Sequence, residues 1–166
     1  MELLNNVWTA LSTPNEELLN IFAIILVFLV EIPLTFGLII TVFNLEYTKK
    51  KALIFIITAS LIALFSTYIL PWPFNIILNY LGTFLTIYFI LKPSLFKTII
   101  ATIFPSIIFN LLGNLILNPY LTLLNITYEQ ANTIPIYRIP FALCMYLIIF
   151  VIIILFKHKK FYINII

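Results

Sequence analysis

Long apolar runs, broken only by short connections that carry lysines, decide the solvent in which this chain folds. They fall at about Leu18–Phe43, Ala52–Leu70, Phe74–Leu91, Thr98–Leu117 and Ile139–Phe156. Each is close to the roughly 20 residues that a helix needs to cross the hydrocarbon of a bilayer. With 63% hydrophobic and 9% charged residues among 166, and a mean hydropathy of +1.17, a water-soluble fold would lack the interior to hide so much apolar side chain. The expected fold class is all-α: a polytopic membrane helix bundle of about five transmembrane helices plus an N-terminal interfacial helix. Only three glycines occur, so no flexible linker to a separate aqueous domain is expected.

The charges predict an orientation. Lys49, Lys50 and Lys51 follow the first run, Lys92 and Lys97 flank the turn after the third, and Lys157, Lys159 and Lys160 follow the fifth. The intervening connections hold one basic residue, Arg138. Basic loops stay on the cytoplasmic side, which places the N-terminus outside and the C-terminus in the cytoplasm. The chain has no Asp and is rich in Ile, Asn and Lys, a bias of AT-rich bacterial genomes, so the expected location is the bacterial cytoplasmic membrane. A net charge of +3 distributed in this way anchors the chain to membrane lipid and is no nucleic-acid footprint.

Residues 1–12 carry Leu3, Leu4, Val7, Trp8 and Leu11 on one helical stripe. The stripe is too short to span and lacks the basic start of a signal peptide. It predicts a helix lying in the outer interface with Trp8 at headgroup level, ahead of the transmembrane bundle of residues 13–166. Thr13-Pro14-Asn15-Glu16 spells a helix start, with Thr13 as cap, Pro14 at the first helical position and Glu16 reaching back to the cap amide. Pro71-Trp72-Pro73 and Lys92-Pro93-Ser94 are corners, while Pro33 and Pro105 are expected to kink the spans that contain them. Asn118–Arg138 reads as the longest outer loop, apolar enough to lie on or dip into the membrane surface. Phe161–Ile166 could begin a sixth span.

Glu31 is the acidic residue set well inside a span, about 13 residues or 20 Å along the first helix. An intramembrane carboxyl costs about 2.5–3.5 kcal/mol on insertion scales and marks a functional candidate. Its alternative is structural: a protonated glutamate bonded to a neighbouring helix. Asn75, Asn79, Gly82, Thr83 and Thr86 share one face of span three, Ser106, Asn110, Gly113 and Asn114 one face of span four, and Ala59, Ala63, Ser66 and Thr67 line span two. Small and hydrogen-bonding residues on matching faces serve helix packing in lipid. Depth adds a second reading. Ser66, Thr67, Asn75, Asn79, Asn110 and Asn114 all fall in the outer half, where their polar groups would line a pocket from spans two to four and the Asn118–Arg138 loop. Apolar walls with a few orienting amides suit a small amphipathic ligand. Arg138 at the rim would meet a ligand carboxylate, pair with Glu129, or simply flank the membrane end.

Catalysis is not expected. Cys144 and His158 are the single thiol and imidazole, and 14 residues of helix separate them by about 21 Å, beyond the reach of a cysteine–base pair. One His cannot build a zinc site without several thiolates or carboxylates, and no glycine-rich phosphate loop is present. The chain is thus read as no enzyme, with no metal site and no cofactor.

At Leu117-Asn118-Pro119, Ile126-Thr127-Tyr128-Glu129-Gln130 and Ile134-Pro135-Ile136-Tyr137-Arg138, the chain resembles the N-terminal membrane region of clostridial sensor histidine kinases of the accessory-gene-regulator (AgrC-like) type, which carry a GHKL ATP-binding domain. The likeness runs loosely from Trp8–Asn15 to the final lysine cluster. It implies a membrane sensor in a two-component, quorum-sensing system, receiving an extracellular peptide. It also implies a homodimer that passes its signal to a kinase domain downstream and on to a response regulator. The chain departs from that pattern in lacking a phosphoacceptor motif and an ATP-binding box. His158 has no acidic neighbour and takes no phosphoacceptor role, so the expectation is a sensor domain separated from its kinase. Two other readings stand beside it: a small-metabolite-binding membrane subunit of a transporter, and a structural subunit in which Glu31 and the amides only hold helices together.

Overall fold

The computed structural model describes residues 2–163. Helix α1 (Glu2–Ser12) is followed by α2 (Glu16–Val42), α3 (Lys49–Ile69), α4 (Phe74–Leu91), α5 (Leu95–Leu124), the short α6 (Tyr128–Thr133) and α7 (Pro135–His158). No strand occurs among the described residues. Helices α2, α3, α4, α5 and α7 are each long and apolar enough to cross a membrane, and together they form a multi-pass, all-α bundle. Of the expected interfacial helix, Met1 and the side chain of Leu3 lie outside the described residues. Residues 161–163 are not helical, and the remainder of the proposed sixth span, residues 164–166, lies outside the described residues.

Several boundaries differ from expectation, each for a local reason. Asn15, not Thr13, caps α2: its side-chain oxygen accepts the Leu18 amide at 3.0 Å. Thr13 belongs to the end of α1, where its hydroxyl donates to the Thr9 carbonyl at 2.7 Å. Glu16 is therefore the first helical residue and, with Glu17, places negative charge at the positive end of the helix. The choice of Asn15 is reinforced by its amide donating to the Thr133 carbonyl at 3.3 Å, which ties this corner to α6.

The long loop expected at Asn118–Arg138 is mostly helix. Helix α5 continues through Pro119 to Leu124, because one missing amide does not outweigh the apolar run that carries the helix onward. It ends where Asn125 turns left-handed at φ 53°, a conformation asparagine tolerates, and the Ile126 amide closes the end on the Leu121 carbonyl at 3.1 Å. Thr127 and Gln130 then form a reciprocal capping box that starts α6.

Side-chain burial divides the bundle along its length. The dry core consists of Ile32, Phe36, Leu38, Ile39, Val42 and Phe43 of the α2 end, Phe55 and Ala59 of α3, Ile87 and Leu91 of α4, and Ala101 of α5. Most lie toward the end where the lysines stand, with Ile32 and Ala59 near mid-span. Phe36 packs on Phe55 with ring centroids 5.1 Å apart, and Phe43 meets Phe104 edge-on at 5.8 Å. Beyond His158 the chain folds back, and the Ile163 amide donates to the Val42 carbonyl at 2.8 Å. Elsewhere the bundle turns apolar side chains outward in rows. Leu53, Ile57, Leu61 and Phe65 follow one line on α3, and Ile99, Ile103, Ile107, Leu111 and Leu115 another on α5. Rows with a spacing of four are the lipid-facing stripes that a bilayer requires of its solutes.

Helices α3 and α4 pack most closely. A Cβ added at Gly82 would stand 2.5 Å from the Ile62 methyl, so the absence of a side chain at Gly82 sets the approach of the two helices, as small residues do in membrane bundles. Trp8 on α1 and Trp72 in the α3–α4 corner are both largely exposed at the end opposite the lysines, in keeping with interfacial anchors.

Candidate functional site

Away from the dry core, α2, α4, α5 and α7 enclose a cavity of about 460 Å³. Its shape begins with Pro33. A proline in a helix has no amide to donate, and its ring crowds the carbonyl four residues back. Helix α2 accommodates this by widening at Val27–Glu31, where the Ile32 amide reaches the Val27 carbonyl, one residue further back than in an ordinary turn. Glu31, the last residue of that widened turn, lines the cavity. Its Oε2 accepts a hydrogen bond of 2.9 Å from the Tyr146 hydroxyl of α7.

Helix α7 supplies the facing wall. Arg138, Ala142 and Tyr146 follow at intervals of four and so share one face, and all three line the cavity. The Arg138 guanidinium donates through Nη1 to the Asn132 carbonyl of α6 at 2.8 Å, so the arginine is held by α6 rather than by Glu129. The start of α7 is fixed on α5 by the Tyr120 hydroxyl, which donates to the Tyr137 carbonyl, and by the Tyr120 ring, 5.3 Å from that of Phe141. Asn79, Tyr80 and Thr83 approach from α4, and Thr102, Pro105, Ser106, Phe109 and Asn110 from α5. The Asn110 amide nitrogen donates to the Ser106 carbonyl at 2.8 Å, which orients the side chain while its oxygen remains an acceptor. The Thr102 hydroxyl donates to the Thr98 carbonyl at 2.8 Å.

Glu31 and Arg138 are the charged residues of this lining, and both also line a smaller cavity of about 170 Å³ between α2 and α7. A carboxyl and a guanidinium thus border one space whose other polar groups are amides and hydroxyls. Such a space can orient a polar head by hydrogen bonds and charge while Ile32, Ile76, Phe109, Phe141 and Met145 cover its apolar parts. Among the described residues no three His, Cys, Asp or Glu gather to hold a metal ion.

Of the residues singled out by sequence, Glu31, Asn79, Asn110 and Arg138 line the cavity; Ser66, Thr67, Asn75 and Asn114 do not. Ser66 is fully buried and donates to the Ala63 carbonyl of its own helix at 2.9 Å. Thr67 is exposed, Asn75 in the first turn of α4 accepts the neighbouring Ile76 amide at 2.8 Å, and Asn114 is exposed one turn beyond Asn110. The wall expected from span two is supplied instead by spans one and five. The close contact at Gly82 packs α3 against α4, and no α3 residue lines the cavity. Tyr146 and Asn132 escaped the sequence reading, although the spacing of Tyr146 from Arg138 on one helical face was visible there. Comparison with protein-family models, with curated proteins and with solved structures returned no match.

Proposed function

We propose that this chain is a membrane-embedded receptor for an amphipathic extracellular ligand, serving as the sensor portion of a two-component signalling system. In this reading the lysine end faces the bacterial cytoplasm and the cavity takes its ligand from the opposite side. The observation that supports it is the gathering of Glu31, Asn79, Asn110 and Arg138 from four helices around one cavity. Helix packing alone needs no space between such residues. A ligand that draws α4, α5 and α7 together favours one bundle arrangement over another, and the helix ends at the cytoplasmic face carry that difference onward. A peptide with an apolar side chain and a free carboxylate has the required chemistry, since Arg138 offers a planar donor fork to an oxyanion.

Native mass spectrometry of the chain in lipid nanodiscs, prepared from its own cells, tests the receptor reading. A bound molecule should accompany the unaltered protein and be absent from the Asn79→Leu/Asn110→Leu variant; equal occupancy of both would end it. The signalling part is read from the DNA that follows the coding region. An open frame running into a kinase, or an adjacent response regulator and peptide precursor, supports it. An adjacent importer ATPase with measurable metabolite uptake contradicts it.

A further inference from the structure

An apolar groove adjoins the cavity. Tyr80 and Thr102, which line it, also line a groove of about 520 Å³ between α4 and α5, whose other walls are Leu81, Phe84, Ile99 and Ile103. The two helices are joined by the short turn after Leu91, and most of their buried residues lie toward that turn: Thr86, Ile87 and Leu91 on α4, Thr98, Ala101 and Thr102 on α5, with Gly82 and Pro105 buried further along. Leu81, Ile99 and Ile103 are exposed on apolar flanks that face lipid. A polar chamber with a neighbouring apolar trough in the hydrocarbon layer, sharing one tyrosine and one threonine, matches a molecule with a polar head and an aliphatic arm.

We infer that the ligand, arriving from the side away from the lysines, first dissolves in the bilayer and then enters between α4 and α5, leaving its aliphatic arm in the Tyr80–Phe84/Ile99–Ile103 groove and its anionic head at Arg138. This deepens the receptor reading and rests on it. The arm gains little from leaving lipid, which is as apolar as the groove. Selectivity therefore resides in the head, and the groove serves as the route and the slot.

The test uses palmitic acid bearing a mid-chain diazirine, with the full chain reconstituted in phosphatidylcholine vesicles. After photolysis, labelled peptides are mapped by mass spectrometry. Label on the Tyr80–Phe84 and Ile99–Ile103 peptides should be competed by excess unlabelled palmitate. It should fall about tenfold in Arg138→Gln, as loss of a charge-assisted hydrogen bond dictates. Label on the exposed apolar residues Leu147, Phe150, Val151 and Ile154 of α7 should change in neither case and reports correct insertion of each variant. Groove labelling that resists competition, or that equals the α7 background, overturns lateral entry. If a copurifying ligand is still lost from the Asn79→Leu/Asn110→Leu variant under that outcome, the receptor reading stands while the groove assignment falls.

Discussion

Tyr146 donates its hydroxyl to Glu31 Oε2 at 2.9 Å across 115 residues of sequence. This is the one hydrogen bond between two side chains found among the described residues, and it joins the first long helix to the last. Removing the hydroxyl in Tyr146→Phe sets two costs against each other. A stranded buried acceptor costs about 1–3 kcal/mol, whereas interhelical bonds in membrane bundles average about 0.6 kcal/mol because lost partners are replaced. The cavity beside Glu31 gives water access to the freed oxygen, so the smaller figure applies. Thermal unfolding in mild detergent should show Tyr146→Phe destabilised by well under 2 kcal/mol. Glu31→Leu, which strands the phenol but removes the carboxyl, should be neutral or stabilising.

Gly82 sets a sharper limit. A methyl there meets Ile62 at 2.5 Å, so Ile62 or the helix backbone must shift to admit it. Overpacking typically costs about 1–3 kcal/mol, and Gly82→Ala is expected within that range. Gly113→Ala, whose new methyl would lie 3.5 Å from the flexible Met145 sulfur, should be tolerated. Adding Ile62→Ala to Gly82→Ala should recover part of the loss, a non-additivity measurable by a double-mutant cycle in detergent unfolding.

Ligand retention should separate the amides by position rather than by type. Asn79→Leu and Asn110→Leu each remove a polar group from the cavity lining and should each weaken retention about tenfold. Asn114→Leu and Thr67→Val alter polar residues that lie outside the lining and should leave it unchanged, as followed by occupancy in native mass spectra.

Helix α6 depends on its cap. Thr127 and Gln130 satisfy each other's backbone amides, and replacing a capping threonine by alanine costs about 1 kcal/mol. Thr127→Ala should speed hydrogen exchange across residues 128–133. Because Asn132 of this helix holds Arg138, the same substitution should also weaken ligand retention without touching the cavity wall.

The five spans could be read from the chain because bilayer thickness and apolar run length are the same constraint. Helix ends were less legible. Thr13 and Asn15 are both good caps, and the choice of Asn15 is reinforced by the distant Thr133 carbonyl, which no local pattern reveals. A loop was expected from Asn118 onward, yet the helix passes Pro119 and stops at Asn125, where a left-handed turn satisfies the last carbonyls. For the site, residue depth followed from position along each span, so Asn79 and Asn110 could be placed at a common level. Rotation about the helix axis did not follow. That is why Ser66, Thr67, Asn75 and Asn114 were grouped with them, while Tyr146, four residues beyond Ala142 on the cavity face of α7, was passed over.

The account turns on a cavity that admits water-borne reagents from the side away from the lysines. Thiol accessibility in intact cells measures this directly, using Asn79→Cys, Asn110→Cys and Lys50→Cys, each in a Cys144→Ser background, with a membrane-impermeant maleimide. The prediction is that the Asn79 and Asn110 positions react from outside and are protected by bound ligand, while the Lys50 position reacts only after lysis. Reaction at Lys50 in intact cells, with Asn79 and Asn110 inert, would contradict the orientation and the open cavity together.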